Sequence, residues 1–282
     1  MTTTLSRVVR VTSQGDGGGL SIRTPDLQAF GGAPPIVLLD DFRATGSPFP
    51  PHPHAGFSAV TYVFPDSPGG LRSRTSKGDD LVVGPGGIVW TEAGRGIIHE
   101  ERPSERSRAL HGAQIFVNLH ARNKLAEPHV YGLRSEEIPQ WTESRRDRVR
   151  VIAGAFAGVR STLALLEPFS LLDIELQSRI TLDLPDAHNA LFYTLEGTAE
   201  IRAGEETRRI SSNEVLVAHG GGGPLYMEAI HDAKVLFLSG ADPRERMVVR
   251  GPFIMNDESQ IADSIARYES GAMGHLNPLP AR

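Results

Sequence analysis

The sequence predicts an all-β protein made of two barrels in tandem, with one short helix near the C-terminus. Three observations lead to this prediction. Short segments rich in β-branched and aromatic residues recur along the chain, each bounded by turn residues. The 282 residues include 30 glycines and 20 prolines, which suits many short strands joined by turns. Two segments of the second half also parallel segments of the first, which indicates an internal duplication.

The first half of the chain has the pattern of strands separated by turns. Predicted strands cover residues 8–11, 36–42, 58–64 and 111–119, and residues 81–90 form a strand, a turn and a strand. A glycine-rich loop is expected at 15–19 and a turn at 65–70. The proline-rich residues 48–51 keep the backbone extended, because proline fixes its own φ and restricts the residue before it.

A polar and charged linker is predicted at 134–149, between a barrel at 1–133 and a second region at 150–282. The predicted strands of the second region cover residues 149–152, 163–165, 171–176 and 213–217, and residues 191–201 form a strand, a turn and a strand. The segment 191–201 parallels 60–64, and 213–217 parallels 86–90. The second region is therefore expected to be a barrel like the first.

One helix is predicted near the C-terminus. Asp257 and Gln260 resemble a capping box, in which two side chains bond to the first free amides of a helix. Ile261, Ile265 and Tyr268 follow at helical spacing, and Gly271 stands beyond the last of them. The tail at 276–282 is expected to be loose or docked.

Composition excludes several classes of protein. The chain has 29 Lys and Arg against 34 Asp and Glu, which gives a formal charge of −5. Its one short basic run, at 145–150, falls in the linker region. Direct nucleic-acid binding is therefore not expected. There are no cysteines, which excludes disulfides and thiolate metal sites. Neither an apolar leader nor an apolar run long enough to span a bilayer is visible, so we expect a cytoplasmic protein without a membrane segment.

Two pairs of potential metal ligands lie at the ends of the stretch 52–101. His52 and His54 form one pair, and His99 and Glu101 form the other. Residues i and i+2 of a strand point to the same face, so each pair would present both side chains together. Taken singly, the His-Pro-His segment is also compatible with a solvated loop, and His99 with an ordinary buried histidine. The joint pattern of two pairs is more specific and favours a metal site.

Strand geometry selects Glu101 over its neighbour Glu100, which would point to the opposite face from His99. Three imidazoles and one carboxylate leave two positions open on an octahedral metal, enough for a bidentate oxygen substrate or for a substrate and O₂. These ligands suit Fe(II) first, and manganese, nickel, copper or cobalt as alternatives.

Four segments make a family resemblance specific: HPHAGF at 52–57, GPGGIVWTEAGRGIIHEE at 84–101, HGAQIFVNL at 111–119 and GPFIMN at 251–256. With them the chain resembles the pirin family of bicupins over most of its length. The resemblance implies two tandem cupin barrels of the jelly-roll type, with the metal in the first. It places the family's ligands on His52, His54, His99 and Glu101. It also implies a preference for iron and, for some members, dioxygenase cleavage of flavonols such as quercetin with release of carbon monoxide.

The chain departs from the family pattern at two places. Many relatives carry an acid directly after the Gly-Phe of the first segment, where this chain has Ser58. If that acid supports a metal ligand, its absence puts the exact activity in doubt but not the metal. Phe64, Pro65 and Asp66 replace a Leu-Glu-Gly hairpin that is common in relatives, so we expect a different pocket rim.

Other polar residues have weaker signals. His111 and Gln114 fall on opposite strand faces, so only one of them is expected to face the pocket. His111 is equally compatible with a place in the pocket and a place in the core. Trp90 is expected in the core or pocket wall, and Arg95 as a turn anchor or a substrate contact.

The histidines of the second half, among them His188, His219 and His231, form no His-x-His motif. This composition predicts a degenerate barrel kept for packing. The glycine run at 220–223 is not followed by Lys and Ser or Thr, so it is not a phosphate-binding loop.

Three hypotheses follow for the function. In the first, the protein is a dioxygenase that chelates a flavonol or similar aromatic substrate on iron, while Glu101 accepts the substrate's hydroxyl proton. In the second, it is a metal-dependent regulatory or redox-sensing protein that binds a protein partner, as the resemblance implies for some family members. The third is a metal-free structural bicupin.

Overall fold

The computed structural model describes residues 2–15, 19–46, 49–144 and 147–280. Within this part of the chain there are 25 strands, one α-helix and three short 3-10 helices. The prediction of an all-β protein with one C-terminal helix is confirmed. Parts of the predicted glycine-rich loop, proline-rich segment, basic run and tail lie outside the described residues, at 16–18, 47–48, 145–146 and 281–282.

The strands of the first half are β1 Thr4–Leu5, β2 Val9–Arg10, β3 Gln14–Gly15, β4 Leu20–Arg23, β5 Ile36–Ala44, β6 Phe49–His54, β7 Phe57–Val63, β8 Leu71–Thr75, β9 Asp80–Val83, β10 Ile88–Glu92, β11 Ile97–Pro103, β12 Leu110–Asn118 and β13 His129–Leu133. Those of the second half are β14 Gln140–Thr142, β15 Arg148–Ala153, β16 Ala155–Phe156, β17 Val159–Arg160, β18 Phe169–Leu176, β19 Arg179–Leu184, β20 His188–Ala203, β21 Glu206–Ser211, β22 Glu214–His219, β23 Gly223–Ala241, β24 Val248–Arg250 and β25 Phe253–Met255. The α-helix, α1, covers Glu258–Glu269, and the 3-10 helices cover Leu27–Phe30, Ala121–Asn123 and Ser135–Glu137.

The chain folds into two compact units, each assembled from separate stretches of sequence. The first barrel unit comprises Ser13–Thr24, Leu38–Glu137 and Pro243–Arg282, and the second comprises Met1–Thr12, Pro25–Val37 and Ile138–Asp242. This differs from the linear division at 134–149. Strands β1 and β2 pair with β22 and belong to the second barrel unit, whereas α1 belongs to the first. Terminal segments find their partners through long-range pairing, which local patterns do not encode.

Two sheets form the first barrel unit. One has seven strands in the order β13-β10-β7-β12-β5-β4-β3, and the other has four in the order β6-β11-β8-β9. An apolar cluster draws side chains from strands of both sheets and therefore lies between them. We call it the floor cluster; its members are Phe42, Ala44, Val63, Leu71, Val83, Val89 and Leu110. Because strand side chains alternate, these residues identify the inward face of each strand that carries them.

The second barrel unit is organised around two long strands, β20 of 16 residues and β23 of 19 residues. The prediction of a strand, a turn and a strand over 191–201 is wrong, since β20 runs through this segment without reversing. Its pairing register with β23 shifts between Thr194 and Ala199, and Gly197 adopts a φ of 74°. A β-bulge therefore bends the strand where the glycine had indicated a turn.

The predicted strand at 163–165 is also absent from the described structure. The amide of Leu163 donates a hydrogen bond of 3.1 Å to the Ser161 hydroxyl oxygen, so it is not available to a neighbouring strand. Pro168 follows shortly and has no N–H to donate. The segment is accordingly a loop between β17 and β18.

Helix α1 begins where the sequence predicts. The carboxylate of Asp257 accepts a hydrogen bond from the Gln260 amide at 2.9 Å, and the Gln260 side chain accepts one from the Asn256 amide. Ile261 is buried, whereas Ile265 and Tyr268 are exposed. The helix therefore packs against the rest of the protein through only a narrow apolar stripe. Among the described residues, no helix is long and apolar enough to cross a membrane.

The C-terminal tail is docked on the outer face of β11. The carboxylate of Glu100 is buried, accepts a hydrogen bond from the Leu279 amide at 3.2 Å and pairs with Arg74 at 2.9 Å. Arg74 and Arg102 also donate to backbone carbonyls of the tail, those of Asn277 and Pro280, each at 3.3 Å. The tail is therefore docked on the strands as far as Pro280, the last residue that the structure describes.

Candidate metal centre

Strands β6 and β11 bring the two predicted ligand pairs together. They are antiparallel neighbours, with His99 directly opposite His52 and Ile97 opposite His54. Three prolines, at positions 50, 51 and 53, keep β6 extended, and β6 accommodates them because it is the edge strand of its sheet. Strand alternation then directs His52, His54 and His99 to one side of the sheet.

The three histidines form a nearly equilateral triangle. Their ring centroids are 4.7 Å apart for His52 and His54, 4.5 Å for His52 and His99, and 4.6 Å for His54 and His99. One nitrogen from each ring lies within 4.8 Å of the other two. His54 and His99 are buried and His52 is partly exposed. The arrangement thus collects three nitrogen donors around one point.

The tautomer of His52 favours metal binding. Its Nδ1 lies 2.7 Å from the Pro50 carbonyl oxygen. A carbonyl only accepts, so Nδ1 carries the proton and Nε2 of the neutral ring has a free lone pair. This Nε2 lies 3.0 Å from Nε2 of His99. Two nitrogens bound about 2.1 Å from one octahedral metal would lie about 3.0 Å apart, so the spacing fits a shared cation.

The histidine triangle is electrically neutral in the absence of a metal. Burial, together with the neighbouring His52, lowers the pKa of His54 to about 3. The pKa of His99 lies well below its ordinary value because the ring is buried beside His54 and His52. Burial also lowers the pKa of His52, against the hydrogen bond to Pro50. Neutral imidazoles are the form that binds transition metals, so these donors fit a divalent cation.

Glu101 stands next to the triangle. Its Oε1 lies 3.9 Å from Nδ1 of His99, and its Oε2 accepts a hydrogen bond of 2.6 Å from the Thr61 hydroxyl. The pairing of β11 with β6 shifts register between His99 and Glu101. Glu100 faces the opposite side, where it binds the tail. The structure therefore places Glu101, and not Glu100, beside the three histidines.

Burial raises the pKa of Glu101 to about 7, against the hydrogen bond from Thr61. The Thr61 hydroxyl also lies 3.0 Å from Oε1 of Gln114, whose amide nitrogen donates to the Val60 carbonyl at 3.1 Å. Because that bond orients the amide, the Gln114 oxygen faces Thr61 and competes with Glu101 for its single proton. With a pKa raised to about 7, this carboxyl group gains or loses its proton near neutral pH in the absence of a metal.

The space beside the triangle, faced by Glu101, Thr61 and Gln114, is called the chamber below, and aromatic side chains form another part of its lining. The ring centroid of His54 is 5.0 Å from that of Phe57 and 5.4 Å from that of Phe116, and the two phenylalanine rings are 4.5 Å apart. Phe116 and Gln114 share a face of β12 and are partly exposed. The chamber therefore opens toward solvent beside β12.

The structure separates the weaker candidates. Gln114 faces the chamber, whereas His111 lies on the other side of β12. There its Nε2 is 3.0 Å from Oδ1 of Asp41 and its Nδ1 is 3.2 Å from Oδ1 of Asp66. Trp90 is buried and alternates with Val89 of the floor cluster, so it faces away from the chamber.

Arg95 is an anchor of its turn. Its guanidinium forms an ion pair of 2.5 Å with Glu127, and its amide donates to the Ala126 carbonyl at 2.8 Å. Its own carbonyl accepts a hydrogen bond of 3.1 Å from the Arg267 side chain. The turn-anchor interpretation of Arg95 accounts for all of these contacts.

Ser58 lies outside the chamber. Thr61 and Phe57 face the chamber from β7, and Ser58 alternates with both of them. It stands directly opposite Glu92 of β10, which is buried. A carboxylate at residue 58 would therefore adjoin that of Glu92 and not the histidines. The departure from the family pattern at this position is one of packing beside Glu92.

Thr61 and Lys124 are two residues of this region that the sequence patterns do not single out. The buried ammonium of Lys124 donates to the carbonyls of Gly56 and Ile254 at 2.9 and 2.8 Å and to the side chain of Asn118 at 2.6 Å. Burial lowers its pKa to about 8. The lysine ties the turn after His54 to β25, but a single lysine has no local pattern that announces this role.

The second barrel unit repeats the pairing but replaces the ligands. There β23 pairs antiparallel with β19, in the way that β11 pairs with β6. Facing pairs of these two strands include Ile180 with Met227 and Leu182 with Leu225, and Leu184 lies further along β19. All five residues are buried in the apolar core of that unit. Within the described residues, the equivalent of the metal site is therefore filled with hydrocarbon.

Comparisons with known proteins agree with this architecture. The family descriptions Pirin and Pirin C-terminal cupin domain match residues 28–117 and 171–274. A pirin-like protein of Arabidopsis thaliana is 34% identical, covering 84% of this chain and 78% of its own. A putative quercetin 2,3-dioxygenase of Pseudomonas aeruginosa is 33% identical, covering 85% and 86%. The crystal structure of a quercetin 2,3-dioxygenase from Acinetobacter baumannii superposes with a TM-score of 0.83 at 24% identity, covering 98% and 100%. The fold is accordingly that of a bicupin.

Proposed function

The chain belongs to the pirin family, and we propose that it is a metal-dependent dioxygenase acting on flavonols or related enolic and aromatic compounds. One observation carries the proposal: the neutral triangle of His52, His54 and His99, with Glu101 beside it, lies in a partly open chamber with an aromatic wall. The names of the relatives agree with this chemistry, since one is a putative quercetin 2,3-dioxygenase.

The proposed ligands of one divalent metal are His52, His54, His99 and Glu101. Imidazole and carboxylate donors favour Fe(II), with manganese, nickel, copper or cobalt as alternatives. A metal bound there would supply Lewis-acid binding of vicinal substrate oxygens and redox access to O₂. The second barrel unit has apolar side chains at the corresponding positions, which supports one metal per chain.

The remaining roles follow from the chamber's own side chains. Glu101 is the proposed acceptor of the substrate's hydroxyl proton, since a pKa of about 7 before metal binding suits a base that works near neutral pH. Thr61 orients its carboxylate through the bond of 2.6 Å. Phe116, which is partly exposed and backed by the buried ring of Phe57, offers the aromatic surface against which a flat substrate ring packs.

The experiment uses protein loaded with iron under anaerobic conditions, mixed with quercetin and then exposed to air. We expect the flavonol absorbance to bleach and carbon monoxide to be released. His54→Ala should abolish the reaction, and His188→Ala in the second barrel unit should leave it unchanged. Absence of bleaching with each of iron, manganese, nickel and copper would refute the flavonol substrate.

The second candidate is a metal-dependent regulatory or redox-sensing protein that binds a protein partner. A surface groove beside α1 favours it, with the exposed side chain of Leu125 and the helix residues Ala266 and Arg267 in its lining. A partner that binds metal-loaded protein and is lost with Leu125→Asp would support this candidate. Turnover of a small molecule without any such partner would count against it.

A further inference from the structure

A second carboxylate faces the same chamber from strand β5. Phe42 and Ala44 of β5 belong to the floor cluster, so their face of the strand is the inward one. Asp40 lies two residues before Phe42 and shares that face, whereas Asp41 points the other way. The contacts of Asp41 agree, because it binds His111 at 3.0 Å and Arg23 at 3.2 Å on the opposite side of the sheet.

Position along the strand puts Asp40 above the floor cluster. In β7 the cluster contains Val63, and Thr61 of the chamber is the next inward residue. In β12 it contains Leu110, and Gln114 lies further along the same face. Strand β5 is the neighbour of β12, and Phe42 is the first of its residues that belongs to the cluster. The inward residue that precedes Phe42 in β5 is Asp40. Exposure increases in the same direction, since Phe42 is buried and Asp40 is only partly so.

The carboxylate of Asp40 is held from one side. The hydroxyl of Thr24, which follows β4, donates to Oδ1 of Asp40. Among the described residues, no other side chain donates to it, and no cation pairs with it. A carboxylate has room for about four donors, so most of its capacity is unused. Burial raises the pKa of Asp40, with the hydrogen bond from Thr24 opposing the shift, which reflects the scarcity of donors around it.

We propose that Asp40, oriented by Thr24, binds a hydroxyl group of the substrate at a point remote from the metal, and so selects polyhydroxylated aromatic substrates. The inference rests on the proposed dioxygenase function and adds a specificity-determining residue to it. A phenolic hydroxyl is a good donor to a carboxylate, and such a charge-assisted bond is stronger than a neutral one. A substrate with only the metal-chelating oxygens would gain nothing from Asp40.

The test compares two flavonols. Quercetin carries hydroxyls on both outer ring systems, and 3-hydroxyflavone keeps the chelating oxygens but lacks those hydroxyls. Dissociation constants are measured anaerobically on metal-loaded protein, so that turnover does not enter. The variants are Asp40→Ala, Asp40→Asn and Thr24→Val, with Asp41→Asn as the matched control on the opposite face of β5. Metal content and thermal unfolding of each variant establish that the chamber is intact.

We expect Asp40→Ala to weaken quercetin binding about tenfold or more, the range for a lost hydrogen bond to a charged group, and to change 3-hydroxyflavone binding less than about twofold. Asp40→Asn should lose part of the quercetin affinity even if the alanine variant fails to fold. Asp41→Asn should not alter the ratio between the two flavonols. An equal effect of the Asp40 variants on both flavonols, or no effect on either, would overturn the role of Asp40. Failure of the metal-loaded wild type to bind either flavonol would instead refute the flavonol function and, with it, this substrate role.

Discussion

Proton competition at Glu101 should set how tightly the histidine triangle holds a metal below neutral pH. Burial raises the pKa of this carboxyl group to about 7, whereas His54, with a pKa of about 3, stays neutral through the range from pH 5 to pH 8. If Glu101 ligates the metal as proposed, it must be ionised in the complex, so each pH unit below its pKa weakens apparent affinity about tenfold. At pH 5 the affinity should therefore be about 100-fold below its plateau value.

The assay is a competition titration of nickel or cobalt against a chromophoric chelator at pH 5, 6, 7 and 8. Wild-type affinity should rise with pH and level off above about pH 7. Glu101→Gln should bind more weakly at pH 8 and lose the dependence on pH. Glu100→Gln is the matched control and should behave as wild type, because Glu100 faces Arg74 and the tail. A pH dependence that survives in Glu101→Gln, or disappears in Glu100→Gln, would refute the assignment.

The same pKa has a consequence for the stability of the metal-free protein. A carboxyl group whose pKa is raised on folding binds its proton more tightly in the folded state. Its contribution to the free energy of unfolding is therefore present below the ordinary pKa of about 4.5 and is lost as the pH rises through about 7. The lowered pKa values of His54 and His99 act in the opposite direction, so the contribution of Glu101 is measured against Glu101→Gln. The free energy of unfolding of chelator-treated wild type, relative to that of Glu101→Gln, should fall between pH 5 and pH 8.

Three further predictions concern metal content and packing. His54→Ala should lower the metal content from about one per chain toward zero by elemental analysis, and full retention would mean that the ligand assignment is wrong. Lys124→Met should lower the free energy of unfolding by about 3 kcal/mol in urea, because buried carbonyl acceptors lose their donor, and an unchanged value would contradict this. Gly56→Ala should lower it by about 2–4 kcal/mol, since Gly56 has a φ of 84° and an added Cβ would lie 1.9 Å from the Ile254 oxygen. Gly78→Ala is the control, with a φ of 98° but nothing within 4 Å of an added Cβ, and should lower it by only about 1 kcal/mol.

The period-two pattern of strands explains what the sequence predicted well. It was enough to place His52 with His54 on one face of their strand and His99 with Glu101 on one face of theirs, and to separate Glu101 from Glu100. The same rule also determines that Ser58 points away from Thr61, although the family comparison alone presented residue 58 as a possible support of the metal. Local alternation is readable because it depends only on the backbone of one strand.

Long-range features were not readable in this way. The bend of β20 at Gly197 replaces a turn because β23 continues to pair with both halves of the strand. The assignment of α1 and the tail to the first barrel unit depends on contacts with residues far away in sequence, such as Glu100 with Leu279. The contacts of Lys124 and the proposed role of Asp40 were missed because both depend on neighbours far away in sequence.

The docking of the tail on β11 has a practical consequence for the handling of this protein. Inward side chains of this strand face the histidine site, and the outward side chains Glu100 and Arg102 bind the last described residues. A purification tag fused after Arg282 would lie close to this attachment. An N-terminal or cleaved tag leaves the attachment undisturbed.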